Sequence, residues 1–306
     1  MADVYSSLLL LIPLSLLLHF IVRPRPVMVP IKNRHVLITG GSSGIGLALA
    51  HLCAREGANV TILARDVRKL KEAKQSIKLA TGREVSIFSA DVRDHDAVER
   101  VIRRRGTSTC SAGIGGSGAG GDKVHHRRQF DGDFHLIKAA LPGMKKCRAE
   151  RGPGSIAIMS SQAGQVGIYG LTAYSASKFG LKGLAEALQH EIIADNIHVS
   201  LIFPPDTETP GFVRASSGAM KADEVAKKSL HGIQSGAFIV PCNFEGFLLS
   251  VATAGLSPQR SYLMAFVEVT TAGTIRLTAL FFLWNWYRSI KKLQLADKIM
   301  SIRKNT

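Results

Sequence analysis

Cysteine is scarce in this sequence, and paired metal-binding spacings are missing. The chain has 306 residues, and its four cysteines are far apart: Cys53, Cys110, Cys147 and Cys242. This spacing argues against a zinc finger, a CxxC redox motif and a disulfide framework, so we expect the soluble part to face a reducing compartment. His125 and His126 are adjacent but have no further ligands at suitable spacing, and we expect no bound metal.

Acidic residues are also in short supply. The 39 basic residues outnumber the 23 acidic ones, which gives a formal net charge of +16. Such a charge suits a nucleic acid, an anionic membrane surface or a phosphate-bearing cofactor. The bases near both ends of the chain flank apolar segments and match phospholipid better than nucleic acid, so we expect no nucleic-acid partner.

The N-terminal apolar run covers residues 6–22, and two arginines follow it closely. A cleavable secretory peptide would carry its bases before the run and a small-residue cleavage site after it. We therefore expect residues 1–30 to be retained as an N-terminal membrane anchor, with the catalytic domain on the cytosolic side. The run is short for a span and contains Pro13, which leaves an interfacial segment as the alternative.

A second apolar zone begins near Asn243 and closes with Trp284, Trp286 and Tyr287 ahead of two lysines. This ending is typical of an aromatic belt at a membrane interface with a basic flank. Charged residues interrupt the zone and would be costly in hydrocarbon. We expect residues 243–306 to form a hydrophobic, membrane-associated region with a basic tail, which either spans the membrane, lies on it, or packs on the core.

The intervening residues 31–242 alternate strand-like and helical patterns. The strand-like runs are nearly continuous in apolar residues, as in a parallel sheet covered on both faces. This pattern predicts an α/β fold with a doubly wound, Rossmann-like parallel sheet. The predicted strands are His35 to Thr39, Asn59 to Ala64, Val85 to Ser89, Ser155 to Ser160 and His198 to Phe203.

A glycine-rich turn joins the first predicted strand to a helix. Glycine at such a turn lets the backbone approach a pyrophosphate, whose charge the helix N-terminus stabilises, so the turn predicts dinucleotide binding. The residues expected to form this site are Gly40, Ser42, Ser43, Gly44, Ile45 and Gly46.

The end of the second strand indicates which dinucleotide is bound. A binder of NAD carries an acidic residue there for the ribose hydroxyl, whereas this chain has Arg65 with Lys69 one helical turn later. A guanidinium and an ammonium suit a 2′-phosphate, so the cofactor is predicted to be NADPH. Asp91, after the third strand, either accepts from the adenine amino group or caps a helix.

Three motifs occur together: TGGSSGIG at the turn, SSQAG at residues 160–164 and YSASK at residues 174–178. In this order they resemble the short-chain dehydrogenase/reductase superfamily. The resemblance implies that Tyr174 donates a proton to a carbonyl oxygen and that Lys178 lowers its pKa and holds the nicotinamide ribose. It also implies that a serine hydroxyl bonds the developing alkoxide, with Ser161 or Ser160 in that role. The i, i+4 spacing agrees, since a cation one turn away stabilises a phenolate.

A closer resemblance comes from the run SSQAGQVGIYGLTAYSASKFGLKGLAEALQHEI and from LIFPPDTETPGF. These are similar to the 3-ketodihydrosphingosine reductases. The similarity implies reduction of 3-ketosphinganine, a long-chain keto sphingoid lipid, by NADPH at the endoplasmic reticulum membrane. A membrane-bound steroid or retinoid reductase of the same superfamily is the alternative.

Residues 103–133 depart from this pattern. The sequence of this stretch is rich in glycine and arginine, and it lacks the Asn-Ala-Gly strand motif and the helical asparagine of the superfamily. Such a composition does not favour a central buried strand. We expect neither the strand nor the helix of the superfamily pattern before Phe134. We interpret the stretch as a frame-shifted or wrongly spliced segment, with a basic lipid-binding loop as the alternative. A catalytically impaired protein that only binds NADPH and membrane is therefore a competing hypothesis.

The helix predicted from Tyr174 to Ile193 carries an apolar stripe at Leu181, Leu184, Leu188 and Ile192. In this superfamily such a helix often lies at a subunit interface, which makes a homo-oligomer possible. A stripe that faces the core is the other explanation.

Overall fold

The computed structural model of the chain describes the backbone of residues 2–22, 27–104, 123–209 and 218–304, and the side chains of these residues apart from 2–10, 103–104, 123–130, 147–151, 293 and 296–304. Within these ranges the helices are α1 (Ala2–Val22), α2 (Gly44–Arg55), α3 (Val67–Thr81), α4 (His95–Arg104), α5 (Lys123–Arg151), α6 (Thr172–Ile192), α7 (Ala222–Gln234), α8 (Phe244–Ala252) and α9 (Tyr262–Lys304). The strands are β1 (His35–Thr39), β2 (Asn59–Ala64), β3 (Ser86–Ser89), β4 (Gly154–Met159), β5 (Ile197–Phe203), β6 (Thr207–Glu208), β7 (Met220–Lys221) and β8 (Ile239–Pro241).

The main strands are parallel and form two three-stranded sheets, in the orders β1-β2-β3 and β4-β5-β8. The five predicted strands are all present, with ends that differ by at most one residue. Long apolar runs fix these strands because both of their faces are covered. The predicted Rossmann-like α/β fold is confirmed.

Helices cover the strands on both faces. One hydrophobic core joins β1 and β2 to α2, α3 and α7, and includes Ile38, Leu49 and Ile62. The other joins β4 and β5 to α4, α5 and α6, and includes Ile158 and Leu201. These two cores place the carboxyl ends of the strands at one edge, where α/β folds of this type bind their ligands.

A cavity separates the two sheets. It is lined by Leu37 of β1, by Ile156 to Ile158 of β4, and by Asp133, Leu136 and Ile137 of α5. Among the described residues no strand lies between β1 and β4. The Gly- and Arg-rich residues 105–122, which follow α4 where a strand was expected, lie outside the described residues.

One expectation about the atypical stretch is wrong. We expected no helix before Phe134, but α5 begins at Lys123. Most residues of this segment are ordinary helix formers, and no proline occurs among residues 123–133. The one glycine of the segment, Gly132, lies where a Cβ would come within 2.4 Å of Val92 Cγ2, so close packing compensates for its low helix propensity.

The apolar stripe of α6 faces the interior. Leu181, Leu188 and Ile192 are buried in the second core, and Leu184 packs against it. The core therefore accounts for this stripe, and a homo-oligomer stays a prediction.

The terminal helices contact each other and the α/β domain. His19 of α1 packs edge-on against Tyr262 of α9, with ring centroids 5.6 Å apart. Arg260 Nη1 lies 2.5 Å from His198 Nδ1 of β5, which joins the start of α9 to the domain. In the described part of the chain, only the segment Tyr262–Lys292 is both long and apolar enough to cross a membrane; the part of α1 whose side chains are described, Leu11–Val22, is shorter.

Candidate active site

The glycine-rich turn after β1 has a conformation that only glycine adopts easily. Gly40 and Gly44 have φ angles of 66° and 54°, in the left-handed region. A Cβ on Gly46 would lie 2.5 Å from the carbonyl oxygen of Gly40. The turn therefore forms a close backbone cradle at the start of α2, as a pyrophosphate requires.

The other predicted residues of the turn lie at the helix N-terminus. Ser43 is the N-cap of α2, but its side chain makes no capping hydrogen bond. Ser42 and Ile45 flank it and are partly exposed. The first amides of α2 are not capped by this hydroxyl and can serve a phosphate.

A residue that the sequence reasoning missed lies against this cradle. Thr209, after β6, has its Cγ2 3.0 Å from the position of a Cβ on Gly44. Its Oγ1 is buried and makes no hydrogen bond with the described residues. A buried hydroxyl left without a partner is costly, so this atom fits a bound polar ligand. Thr209 belongs to the run LIFPPDTETPGF, which the sequence analysis used only as a sign of family resemblance and not as part of the cofactor site.

The end of β2 carries the groups expected to select the cofactor. Arg65 and Lys69 are both exposed at the start of α3, whose N-cap is Asp66. Asp91 holds Arg93, whose Nε donates to Asp91 Oδ1 over 2.9 Å. This bond, together with the nearby Arg65, lowers the pKa of Asp91 to about 2, so its carboxylate stays charged.

The alternative role of Asp91 as a helix cap is not what the structure shows. The backbone amide of Ala97 in the first turn of α4 donates to Asp94 Oδ1 over 3.0 Å. Asp94 therefore caps α4. Asp91 does not cap this helix, and it lies near Arg65 after the end of β3.

Tyr174 and Ser161 form the centre of the site. Both follow β4, with Ser161 in the turn beyond the strand and Tyr174 in the first turn of α6. Burial raises the pKa of Tyr174, a hydrogen bond from Ser161 opposes this, and the Asp206 carboxylate raises it further. Ser160 Oγ instead donates to the backbone carbonyl of Lys178 over 3.0 Å. The geometry thus separates the two serines that the sequence left open.

Lys178 lies beneath Tyr174. Its side chain is 1% exposed, its Nζ donates to the Met159 carbonyl over 3.1 Å, and this nitrogen lies 5.6 Å from the centroid of the Tyr174 ring. Burial lowers the pKa of Lys178 to about 8, and the carboxylate of Asp133 opposes this change. A cation in this position stabilises a phenolate on the tyrosine.

Asp133 is the second residue that the sequence reasoning missed. It is 7% exposed, and its Oδ2 has no hydrogen-bond partner among the described residues. Burial raises its pKa to about 7, while the charge of Lys178 lowers it. The side chain also lines the cavity between β1 and β4. No signal marked it, because it lies inside the atypical stretch.

His125 and His126 were considered as metal ligands in the sequence, and their side chains lie outside the described residues. On α4, ligand atoms of His95, Asp96 and Glu99 lie within 4.8 Å of one another. The Asp96 side chain is 82% exposed, as acidic groups on helix surfaces commonly are.

The sequence model of the short chain dehydrogenase family matches residues 34–109 and 124–219. This match covers more than half of the chain and includes the glycine-rich turn, Ser161, Tyr174 and Lys178. The chain therefore belongs to the short-chain dehydrogenase family.

Within this family, the chain is similar to a particular group of reductases. The chain is 58% identical to the 3-dehydrosphinganine reductase TSC10A of Arabidopsis thaliana, and the match covers 89% of this chain and 90% of the relative. It is 33% identical to the 3-ketodihydrosphingosine reductase of Bos taurus, over 96% of this chain and 98% of the relative. The narrower resemblance noted in the sequence is confirmed.

Solved structures agree in fold. A short-chain dehydrogenase from Sphingobium yanoikuyae in complex with NADPH has a TM-score of 0.61 at 24% identity, covering 73% of this chain and 94% of that one. The L-sorbose reductase of Gluconobacter frateurii, complexed with NADPH and L-sorbose, has a TM-score of 0.60 at 23% identity, covering 69% and 95%.

Proposed function

We propose that the chain reduces 3-ketosphinganine to sphinganine with NADPH, as a 3-dehydrosphinganine reductase of sphingolipid biosynthesis. The observation that carries this proposal is the 58% identity to the Arabidopsis 3-dehydrosphinganine reductase over 89% of the chain. The hydrogen bond between Ser161 and Tyr174, with Lys178 beneath the ring, supplies the groups that the chemistry needs.

Each residue of the site has one task in this proposal. NADPH, when bound, supplies the hydride that reaches the carbonyl carbon. Tyr174 transfers its proton to the carbonyl oxygen, so that the C=O bond becomes a secondary alcohol. Ser161 hydrogen-bonds the same oxygen and favours the developing charge. Lys178 stabilises the phenolate that remains, and Ser160 fixes the backbone of Lys178.

In the cofactor site, each group of residues would hold a different part of NADPH. The backbone cradle from Gly40 to Gly46 would hold the pyrophosphate, and the free hydroxyl of Thr209 lies at its edge. Arg65 and Lys69 would hold the 2′-phosphate. The charged Asp91, whose two oxygens already accept from Arg93, would offer a remaining lone pair to the adenine amino group.

Replacement of Arg65 by alanine tests the preference for NADPH. Loss of a charge-assisted bond to phosphate is expected to raise the KM for NADPH about 10- to 100-fold and to leave the KM for NADH unchanged. Arg68→Ala is the matched control, since Arg68 is an equally exposed arginine in the first turn of α3. Equal effects of the two substitutions on the KM for NADPH would contradict the assignment.

Replacement of Asp133 by asparagine tests its influence on Lys178. The carboxylate favours the ammonium form, so its loss should lower the pKa of Lys178 further. Above that pKa Tyr174 loses its cation, and the alkaline limb of the kcat/KM profile should move about one pH unit lower. The exposed Asp131 of the same helix provides a control as Asp131→Asn. An unchanged limb in Asp133→Asn would show that the carboxylate does not act on this site.

Membrane attachment completes the proposal. Residues 1–30 and 243–306 would anchor the reductase domain, residues 31–242, at the endoplasmic reticulum with its site facing the cytosol. Helix α9 exposes Phe281, Phe282 and Trp284, and Leu283 and Ile290 line an open groove beside the α/β domain. None of the apolar window within Tyr262–Lys292 is buried inside the structure, so its side chains are free to contact lipid.

Among the described residues no strand lies between β1 and β4, and this favours the competing hypothesis of an impaired protein, since a central strand would support the elements that hold Tyr174. A substrate panel separates the possibilities. Full-length chain in membranes, supplied with NADPH, should convert 3-ketosphinganine and leave steroid ketones and retinal unchanged. Conversion of a steroid or retinal instead would redirect the proposal, and NADPH binding without any conversion would establish an impaired protein.

A further inference from the structure

A groove lies between α9 and the loop that leads into α6. It has a volume of about 380 Å³ and is lined by Gly167, Ile168, Tyr169, Thr172 and Ser175 on one wall and by Leu283, Trp286, Tyr287 and Ile290 on the other. The second wall has the spacing i, i+3, i+4 and i+7, so it forms one continuous stripe along the helix. The groove is thus built by two separate parts of the chain.

The position of the groove ties it to the candidate active site. Its first wall ends at Thr172 and Ser175, which flank Tyr174 in the first turn of α6. Its second wall belongs to a helix that also exposes large apolar side chains outside the groove, including Phe281 and Trp284. The groove therefore runs from the first turn of α6, which carries Tyr174 on a neighbouring face, to this apolar surface.

The chemistry of the walls selects an apolar, extended ligand. None of the described residues that line the groove is charged, and they include the aromatic rings of Tyr169, Trp286 and Tyr287. Tyr169 and Trp286 are 52% and 38% exposed, which leaves their rings accessible to an alkyl chain. Burial of such surface against methylene groups is favourable in proportion to the area removed from water.

We infer that this groove binds the alkyl tail of the keto lipid substrate and guides it from the membrane to Tyr174. The inference rests on the proposed function, because it assigns a place to the tail of that substrate. The stripe from Leu283 to Ile290 is about 10 Å long, enough for a run of several methylene groups. Specificity for long-chain ketones would then reside in α9 as well as in the α/β domain.

A series of 2-amino-1-hydroxy-3-ketones of increasing tail length tests the inference in the full-length chain. Each methylene that enters the groove should raise kcat/KM about fourfold until the groove is filled. Trp286→Ala should lower kcat/KM for the longest ketone about tenfold and flatten this dependence. Trp284→Ala makes the same change on the exposed side of α9 and should preserve the slope. If kcat/KM depends on tail length equally in both variants, the assignment of the tail to this groove is wrong, even if the wild type reduces the ketones.

If the chain shows no turnover, a binding measurement tests the groove separately from the proposed reductase activity. The chain has two tryptophans, so Trp284→Phe leaves Trp286 as the single indole and Trp286→Phe leaves Trp284. Sphinganine brominated in its tail should quench Trp286 fluorescence more strongly than Trp284 fluorescence. Stronger quenching at Trp286 without turnover would support the groove and reject the reductase activity of this chain. Equal quenching would reject the groove.

Discussion

Tyr174→Phe is expected to lower kcat/KM for 3-ketosphinganine about 1,000-fold, since positioned proton transfer typically contributes 10²- to 10⁴-fold. Phenylalanine keeps the ring that packs in the site and removes only the proton donor. Ser161 cannot replace it, because a serine hydroxyl is far less acidic than a phenol. NADPH affinity, measured by fluorescence titration, should change less than about tenfold, because the pyrophosphate cradle and Arg65 are untouched.

Tyr262→Phe serves as the control for this substitution. Tyr262 lies at the start of α9, where its ring contacts His19 of α1, and it is outside the site. The control should retain the activity of the unaltered chain. A Tyr174→Phe variant that is as active as Tyr262→Phe would exclude Tyr174 as the proton donor.

Restoration of a central strand is expected to have the second large effect. If residues 105–122 are replaced by a segment of equal length with a Val- and Ile-rich strand, we expect this strand to pair with β1 and β4, between which the described residues place no strand. Each large side chain buried there contributes about 1.5–3 kcal/mol, so the thermal midpoint should rise by at least about 10 °C. Firmer support of Tyr174 should also raise kcat/KM, by up to about 100-fold.

The control for this experiment is a replacement of equal length composed of glycine and serine. It matches the loop length but cannot fill the cavity lined by Leu37 and Ile156. The strand version should exceed this control in both midpoint and kcat/KM. If the original chain equals the strand version in both measurements, the sequence from 105 to 122 is no defect.

The sequence predicted the fold well because the evidence was local. Each of the strands β1, β2 and β5 is a mostly apolar run, and such runs have few alternatives in an α/β chain. The glycine-rich turn was equally clear, since its left-handed φ angles require glycine at Gly40 and Gly44. Tyr174 and Lys178 were found by their motif, and their i, i+4 spacing on α6 followed from helix geometry.

What the sequence could not supply depends on contacts between distant residues. Ser160 and Ser161 differ only in which neighbour each faces, Lys178 or Tyr174, and that direction is set by the turn after β4. Asp133 reaches the site only because α5 packs beside the cavity. The groove likewise requires α9 to return to a loop more than a hundred residues earlier, which no local pattern encodes.

Transfer of deuterium tests the central claim most directly. Membranes that contain the full-length chain would receive 3-ketosphinganine and NADPH with both hydrogens at C4 of the nicotinamide replaced by deuterium, and sphinganine would be analysed by mass spectrometry. The account predicts sphinganine with one deuterium at C3, and no such product from membranes that carry Tyr174→Phe. Absence of sphinganine from the unaltered chain, or sphinganine without deuterium at C3, would contradict the account.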